Sequence, residues 1–158
     1  MWVIELKPTE KTVKWLKHNK LDICALQYAT TALLSDIKRV SKFKKTTLVI
    51  QVDYKRDSSS YYFGTNKIYL CSDPSFLAKT YKQRKFVILL HYLHEFRHWM
   101  QSEIYHIKDR QLKYTEEDIE KNSKKYWNNR FEKDARNFEK KYVRRFMRYY
   151  TEFKNDYL

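Results

Sequence analysis

The stretch Phe86-Val87-Ile88-Leu89-Leu90-His91-Tyr92-Leu93-His94-Glu95-Phe96-Arg97-His98-Trp99-Met100-Gln101 decides the fold of this chain. Phe86, Leu89, Leu93, Phe96 and Met100 recur at three- and four-residue spacing, which is the period of an amphipathic helix. Working outward, the pattern predicts a helix from Phe76 to near Tyr105, with room for a break near Lys79–Lys82. On such a helix each residue advances about 100° and 1.5 Å. His94 and His98 therefore stand one turn apart and about 40° around the axis, so both imidazoles can approach one tetrahedral ion from the same side. Neutral imidazole nitrogen suits Zn2+. Glu95 follows the first histidine, where a carboxylate can take a proton from metal-activated water and deliver it to a leaving amine. That is the logic of an H-E-x-x-H run.

His91 shares nearly the same face but lies seven residues from His98, roughly 10 Å along the axis. Metal–nitrogen bonds are only about 2 Å long, so His91 reads as a core residue or a neighbour of the site. Two histidines leave a catalytic site incomplete, and a third ligand has to come from another element. His18 and His106 are candidates by residue type. The last helix offers better ones.

That helix is expected over roughly 117–154, capped by Thr115 with Asp118 completing the capping box. Its apolar stripe runs through Trp127, Phe131, Ala135, Phe138, Tyr142, Phe146, Tyr149 and Phe153. Glu132 borders this stripe much as His94 borders its own, so packing the two stripes together brings Glu132 and the histidines to one cleft. Asp134 borders the stripe on its other side and is the main rival, with Glu139 next. Arg136 and Tyr142 are the candidates on this helix for a donor to a developing oxyanion.

The run Glu132-Lys133-Asp134-Ala135-Arg136-Asn137-Phe138 resembles the E-x-x-A-x-x-F helix that follows H-E-x-x-H in gluzincin-type metallopeptidases. With Gln101 three residues after His98, the run His94–Gln101 also resembles the H-E-x-R-H-x-x-Q pattern of small phage and prophage metallopeptidases. More distantly it is similar to the ImmA/IrrE-like proteins, from which Arg97 departs where Gly is common. The resemblance covers about residues 46–140. It implies a zincin-like minimal metallopeptidase domain, Zn2+ as cofactor, Glu132 as third ligand, Glu95 as general base and a peptide or protein substrate. It also implies that the strand Asn66–Cys71 is the edge strand along which such a substrate aligns.

The remaining sequence fits one α+β domain over residues 1–158, helix-rich with a small antiparallel or mixed sheet. Residues 1–45 form an N-terminal strand and helices, 46–140 the core, and 141–158 the end of the last helix. Residues 2–6 read as a strand. Pro8-Thr9-Glu10 opens a helix to about Asn19, and a second helix runs from Leu21 to near Phe43 on Ile23, Leu26, Ala29, Leu33, Ile37 and Val40. Thr46–Tyr54 is a strand, residues 56–60 a loop, and Tyr61–Phe63 and Asn66–Cys71 are strands flanking Gly64. Ser72-Asp73-Pro74-Ser75 punctuates the chain before the long helix.

The chain has 158 residues, one Gly, two Pro, two Cys and a net charge of +14. A single Gly excludes a phosphate-cradling loop. Ser58–Ser60 lacks a nucleophile-elbow context, which argues against a serine hydrolase. Cys24 and Cys71 are too few for a disulfide scaffold and read as free thiols. The N-terminus lacks signal-peptide features and no apolar run reaches membrane length, so the expected location is cytoplasmic, in a host cytoplasm or virion if phage-encoded. The positive charge fits a nucleic-acid- or virion-associated surface. It equally fits the Lys-, Asn- and Tyr-rich usage of an AT-rich genome. The basic residues Lys140, Lys141, Arg144, Arg145 and Arg148 lie away from the aromatic stripe, on a face expected to be solvated.

Overall fold

The structure, a computed structural model, describes residues 2–37, 44–53, 58–72, 80–121 and 124–157. The first strand, β1 (Trp2–Pro8), turns Ile4 and Leu6 into the core. Pro8 ends this strand and does not open the following helix. Thr9 takes the capping role, its hydroxyl accepting from the Thr12 N–H at 3.3 Å, and α1 (Glu10–His18) begins after it. Lys20, at φ 61°, reverses the chain after α1, and the Leu21 N–H returns to the Leu16 carbonyl at 2.8 Å. The second helix, α2 (Ile23–Ile37), buries Leu26, Ala29 and Leu33 of its expected stripe. Its expected extension through Val40 to Phe43 lies outside the described residues.

The crossover through α1 and α2 delivers β2 (Lys44–Asp53) parallel to β1, from Trp2 opposite Lys44 to Pro8 opposite Ile50. A hairpin follows, of β3 (Ser60–Tyr61) and β4 (Lys67–Cys71). Strand β4 runs parallel to β2 and antiparallel to β3, so the sheet is mixed, in the order β1-β2-β4-β3. With the helices around it this is an α+β architecture. Strand β4 is therefore interior and not the expected edge. The edge beside the long helix is β3, which pairs only Ser60 with Tyr69 and Tyr61 with Ile68. Tyr54 and the first part of the expected 56–60 loop lie outside the described residues.

Thr80 and Gln83 form a capping box that starts α3 (Tyr81–Glu103). The expected earlier start at Phe76, and the Asp73-Pro74-Ser75 punctuation before it, lie outside the described residues. Leu89, Leu93, Phe96 and Met100 are buried as the spacing predicts, whereas Phe86 is 40% exposed. Ile88 and Tyr92 carry the buried face toward the start of the helix instead. The β3–β4 turn is tied to α3: Gly64 (φ 84°) donates its N–H to Ser102 Oγ, and Trp99 Nε1 donates to Asn66 Oδ1, both at 2.9 Å. This fixes the sheet edge against the C-terminal half of α3.

The expected single helix over 117–154 is three: α4 (Glu116–Glu120), α5 (Lys124–Trp127) and α6 (Arg130–Tyr157). Thr115 and Asp118 do form the predicted capping box. The break before α6 has a local cause in Asn128-Asn129. Asn129 Oδ1 accepts from the Phe131 N–H at 2.9 Å and so caps a new helix where an unbroken one would need an inert residue. Trp127 falls before the break and is 44% exposed. From Phe131 onward the stripe is buried through Ala135, Phe138 and Phe146, then passes to Tyr150, with Tyr149 and Phe153 only partly covered. Tyr92 links the long helices, its ring 6.0 Å from Phe96 and 5.8 Å from Phe146. Packing α3 on α6 stripe to stripe aligns their bordering polar residues. Among the described residues, no helix is long and apolar enough to cross a membrane.

Candidate metal centre

Where α3 meets the first turns of α6, His94, His98 and Glu132 converge, with one ligand atom from each lying within 4.8 Å of the others. Glu132 bridges the histidines. His94 Nε2 is 3.1 Å from its Oε2, and His98 Nε2 is 3.1 Å from its Oε1. Two ligands on a tetrahedral ion with bonds of about 2.0–2.1 Å stand about 3.4 Å apart, so the donors need little movement to share one ion. His98 and Glu132 are buried, at 4% and 2% exposure, which shields the group from bulk water.

The opposite ring nitrogens complete the fit. His98 Nδ1 faces Gln101 Oε1 at 2.8 Å, and His94 Nδ1 faces Glu139 Oε2 at 3.4 Å. An acceptor on Nδ1 keeps the proton there and leaves the Nε2 lone pair for a metal. Glu139, a rival for third ligand in the sequence, thus serves the far side of His94. Asp134 is also engaged elsewhere, accepting from Arg97 Nε at 2.8 Å and Gln101 Nε2 at 2.8 Å. The structure brings together His94, His98 and Glu132 and leaves His18 and His106 outside the group. His91 is also outside it. Burial pushes its pKa down against the Glu139 charge, with the His94 charge adding to the depression.

Metal-free, the group is an ion-pair network. Burial alone would depress the His94 imidazolium, but Glu132 and Glu139 override it and hold its pKa up at about 10. Burial likewise works against the His98 imidazolium, and Glu132 raises it. For Glu132, burial disfavours the charged form, yet both histidines hold its carboxyl far below the usual range. Glu95 is 7% exposed and differs from Glu132 in sign. Burial pushes its carboxyl up, and the charges of His94 and His98 only partly offset that.

Two tyrosines of the segment between α3 and α6 were not singled out by the sequence. Tyr114 donates its hydroxyl to Glu132 Oε1 at 3.0 Å. Tyr126 packs edge-on against Tyr114, ring centroids 5.3 Å apart, within reach of the Glu132 charge. Burial and the Glu132 charge raise both phenols, so both remain neutral donors. Fourteen tyrosines in the chain gave no signal for these two. Arg136 and Tyr142, the expected donors, are placed elsewhere. Arg136 covers the Trp127 ring and donates to the Trp127 carbonyl, and Tyr142 packs on Phe138 at 4.8 Å. No protein-family model, curated protein or solved structure matches this chain.

Proposed function

We propose that this chain is a zinc-dependent peptidase that hydrolyses peptide bonds with Glu95 as general base. The observation that carries the reading is the orientation of the two imidazoles. Each has an acceptor on Nδ1 and turns Nε2 toward one shared carboxylate. When bound, a divalent ion would act as a Lewis acid that polarises a carbonyl oxygen and lowers the pKa of water. His94, His98 and Glu132 would hold it, two nitrogens and one oxygen being a donor set suited to Zn2+. Glu95, buried next to the ligands with its pKa raised, suits a group that takes a proton from water and returns it to a leaving amine. Tyr114 and Tyr126 are neutral phenols beside Glu132, and a Tyr114 that left its bond to Glu132 would have a proton to offer negative charge developing on a peptide oxygen.

The test separates metal from catalysis. Purified protein should carry stoichiometric zinc, and Glu95→Gln should retain it while cleavage of an unfolded casein substrate falls about 100- to 10,000-fold. No zinc after metal-replete expression would sink the reading.

One observation favours a second reading, a basic nucleic-acid- or virion-associated protein with little catalysis on the same scaffold. Lys140, Lys141 and Arg144 are exposed on α6 and have no acidic partner within ion-pair distance among the described residues. Nucleic-acid binding by a zinc-loaded protein that cleaves nothing would favour it.

A further inference from the structure

We propose that Gln101 is a positioning residue that selects Nε2 of His98 as the metal-facing nitrogen, held for that task by a relay through Asp134 and Arg97. The inference rests on the metal reading of the site and adds to it the device that orients one ligand.

The relay follows from which groups can only donate and which can only accept. Arg97 is a pure donor. Its Nε and Nη2 bond the two oxygens of Asp134 at 2.8 and 3.3 Å, a forked pair that fixes the carboxylate plane. Asp134 Oδ2 and the Phe131 carbonyl are acceptors, at 2.8 and 3.1 Å from the same Gln101 atom. That atom must be the amide nitrogen, which has two hydrogens to give. The amide orientation is therefore set by its neighbours, and Oε1 is forced toward His98 Nδ1 at 2.8 Å. An amide oxygen can only accept, so Nδ1 carries the proton and Nε2 turns to Glu132.

Gln101 is 3% exposed, so water cannot replace its bonds cheaply. The relay spans α3 and α6, and its Asp134 and Phe131 flank the ligand Glu132. The same bonds that dock the helices thus orient His98.

Two substitutions test this. Gln101→Met keeps the shape and removes all three side-chain bonds. Zinc affinity, read by competition with a chromophoric chelator, should fall about 10- to 100-fold. Two-bond 15N–1H spectra of histidine-labelled, metal-free protein at alkaline pH should show His98 losing its Nδ1–H tautomer. Gln101→Glu would face the Asp134 oxygen and the Phe131 carbonyl with another acceptor and should also weaken binding. The wild-type spectra keep the test open if neither variant folds, because metal-free His98 should there be the Nδ1–H tautomer. Wild-type affinity with an unchanged tautomer in Gln101→Met would overturn the relay, as would an Nε2–H tautomer of His98 in the wild type. His94→Ala runs alongside. If it binds zinc like wild type, the metal reading fails and the relay is judged on the tautomer alone.

Discussion

His94 Nε2 and Glu132 Oε2 stand 3.1 Å apart across the α3–α6 junction, though 38 positions separate them in sequence. The contact is buried and shared. Glu132 also meets His98 and accepts from Tyr114. Removing it strands two imidazoles and a phenol without their common acceptor. In Glu132→Ala, zinc measured by elemental analysis should be lost. The metal-free protein should also lose about 3–5 kcal/mol, the range for breaking a buried pair from one side. Thermal denaturation would show this as a fall of roughly 10 °C. Asp134→Ala should keep Glu132 in place and retain zinc, bound more weakly. A protein that keeps full zinc without Glu132 would assign the third ligand elsewhere.

The same network sets a pH dependence. His94 has its pKa held near 10, and that of His98 is also raised. A histidine raised on folding contributes stability that is full below the unfolded value, about 6.5. That contribution is lost as pH rises through the folded value. Metal-free protein should therefore lose stability between about pH 6.5 and 10. Glu132, depressed on folding, contributes above the unfolded carboxylate value and loses that contribution only under acid, with the onset below about pH 4.3. Zinc requires neutral imidazoles, so its affinity should run the other way and strengthen with rising pH. Calorimetry in two buffers of different ionisation heat should show protons released on binding near neutrality. Zero release would mean that the histidines are already neutral.

The helical stripes made the long helices legible because period is a property of the sequence. They also brought out His94, His98 and Glu132, since residues bordering two stripes that pack must meet. Glu139 was legible as a nearby carboxylate but not as the partner of His94 Nδ1, because the side on which a carboxylate meets a ring depends on helix rotation. Tyr114 and Tyr126 were not legible. Tyr114 reaches the site from an irregular connection and Tyr126 from α5, a helix of 4 residues, and neither stretch is long enough for a period to say which way a side chain points. The interior position of β4 was equally hidden. Strand order depends on the crossover through α1 and α2, which places β2 between β1 and β4. The break at Asn128-Asn129 was present in the residue types, but the aromatic spacing on both sides of it outweighed them.

Packing between α2 and α3 gives an asymmetric prediction. Thr30 Oγ1 donates to the Leu26 carbonyl at 2.7 Å and lies 2.8 Å from the Tyr92 hydroxyl, in fully enclosed surroundings. The threonine proton is already used, so Tyr92 is the donor in the second bond. Thr30→Val removes the acceptor that, among the described residues, the buried Tyr92 phenol meets, and should cost about 1–3 kcal/mol. Tyr92→Phe removes the donor but leaves Thr30 bonded to its own helix, and should cost about 1 kcal/mol. The double variant should cost less than the two losses added together. Denaturant midpoints of the three proteins measure this, and equal costs for the two single changes would contradict the donor assignment.

The outward face of α6 makes the last prediction. Glu132 and Glu139 face His94 at the candidate metal centre, while Lys140, Lys141, Arg144, Arg145 and Arg148 are exposed. Two of these cations have nearby carboxylates, Arg145 with Asp36 at 3.8 Å and Arg148 with Glu152 at 3.7 Å. Lys140, Lys141 and Arg144 have none within that reach among the described residues, and are the ones free to meet phosphates. If this face binds duplex DNA, affinity should fall steeply with salt, and each cation that contacts a phosphate adds about 0.9 to the log–log slope. Lys140→Gln, Lys141→Gln and Arg144→Gln should then each flatten the slope by about 1, with little dependence on DNA sequence. Arg145→Gln should change it less, because Asp36 already neutralises part of that charge. Fluorescence anisotropy across a salt series reads the slope. Binding that is absent at low salt, or slopes that the three changes leave alone, would make this face a solvated one and leave the candidate metal centre as the end of the helix to test for function.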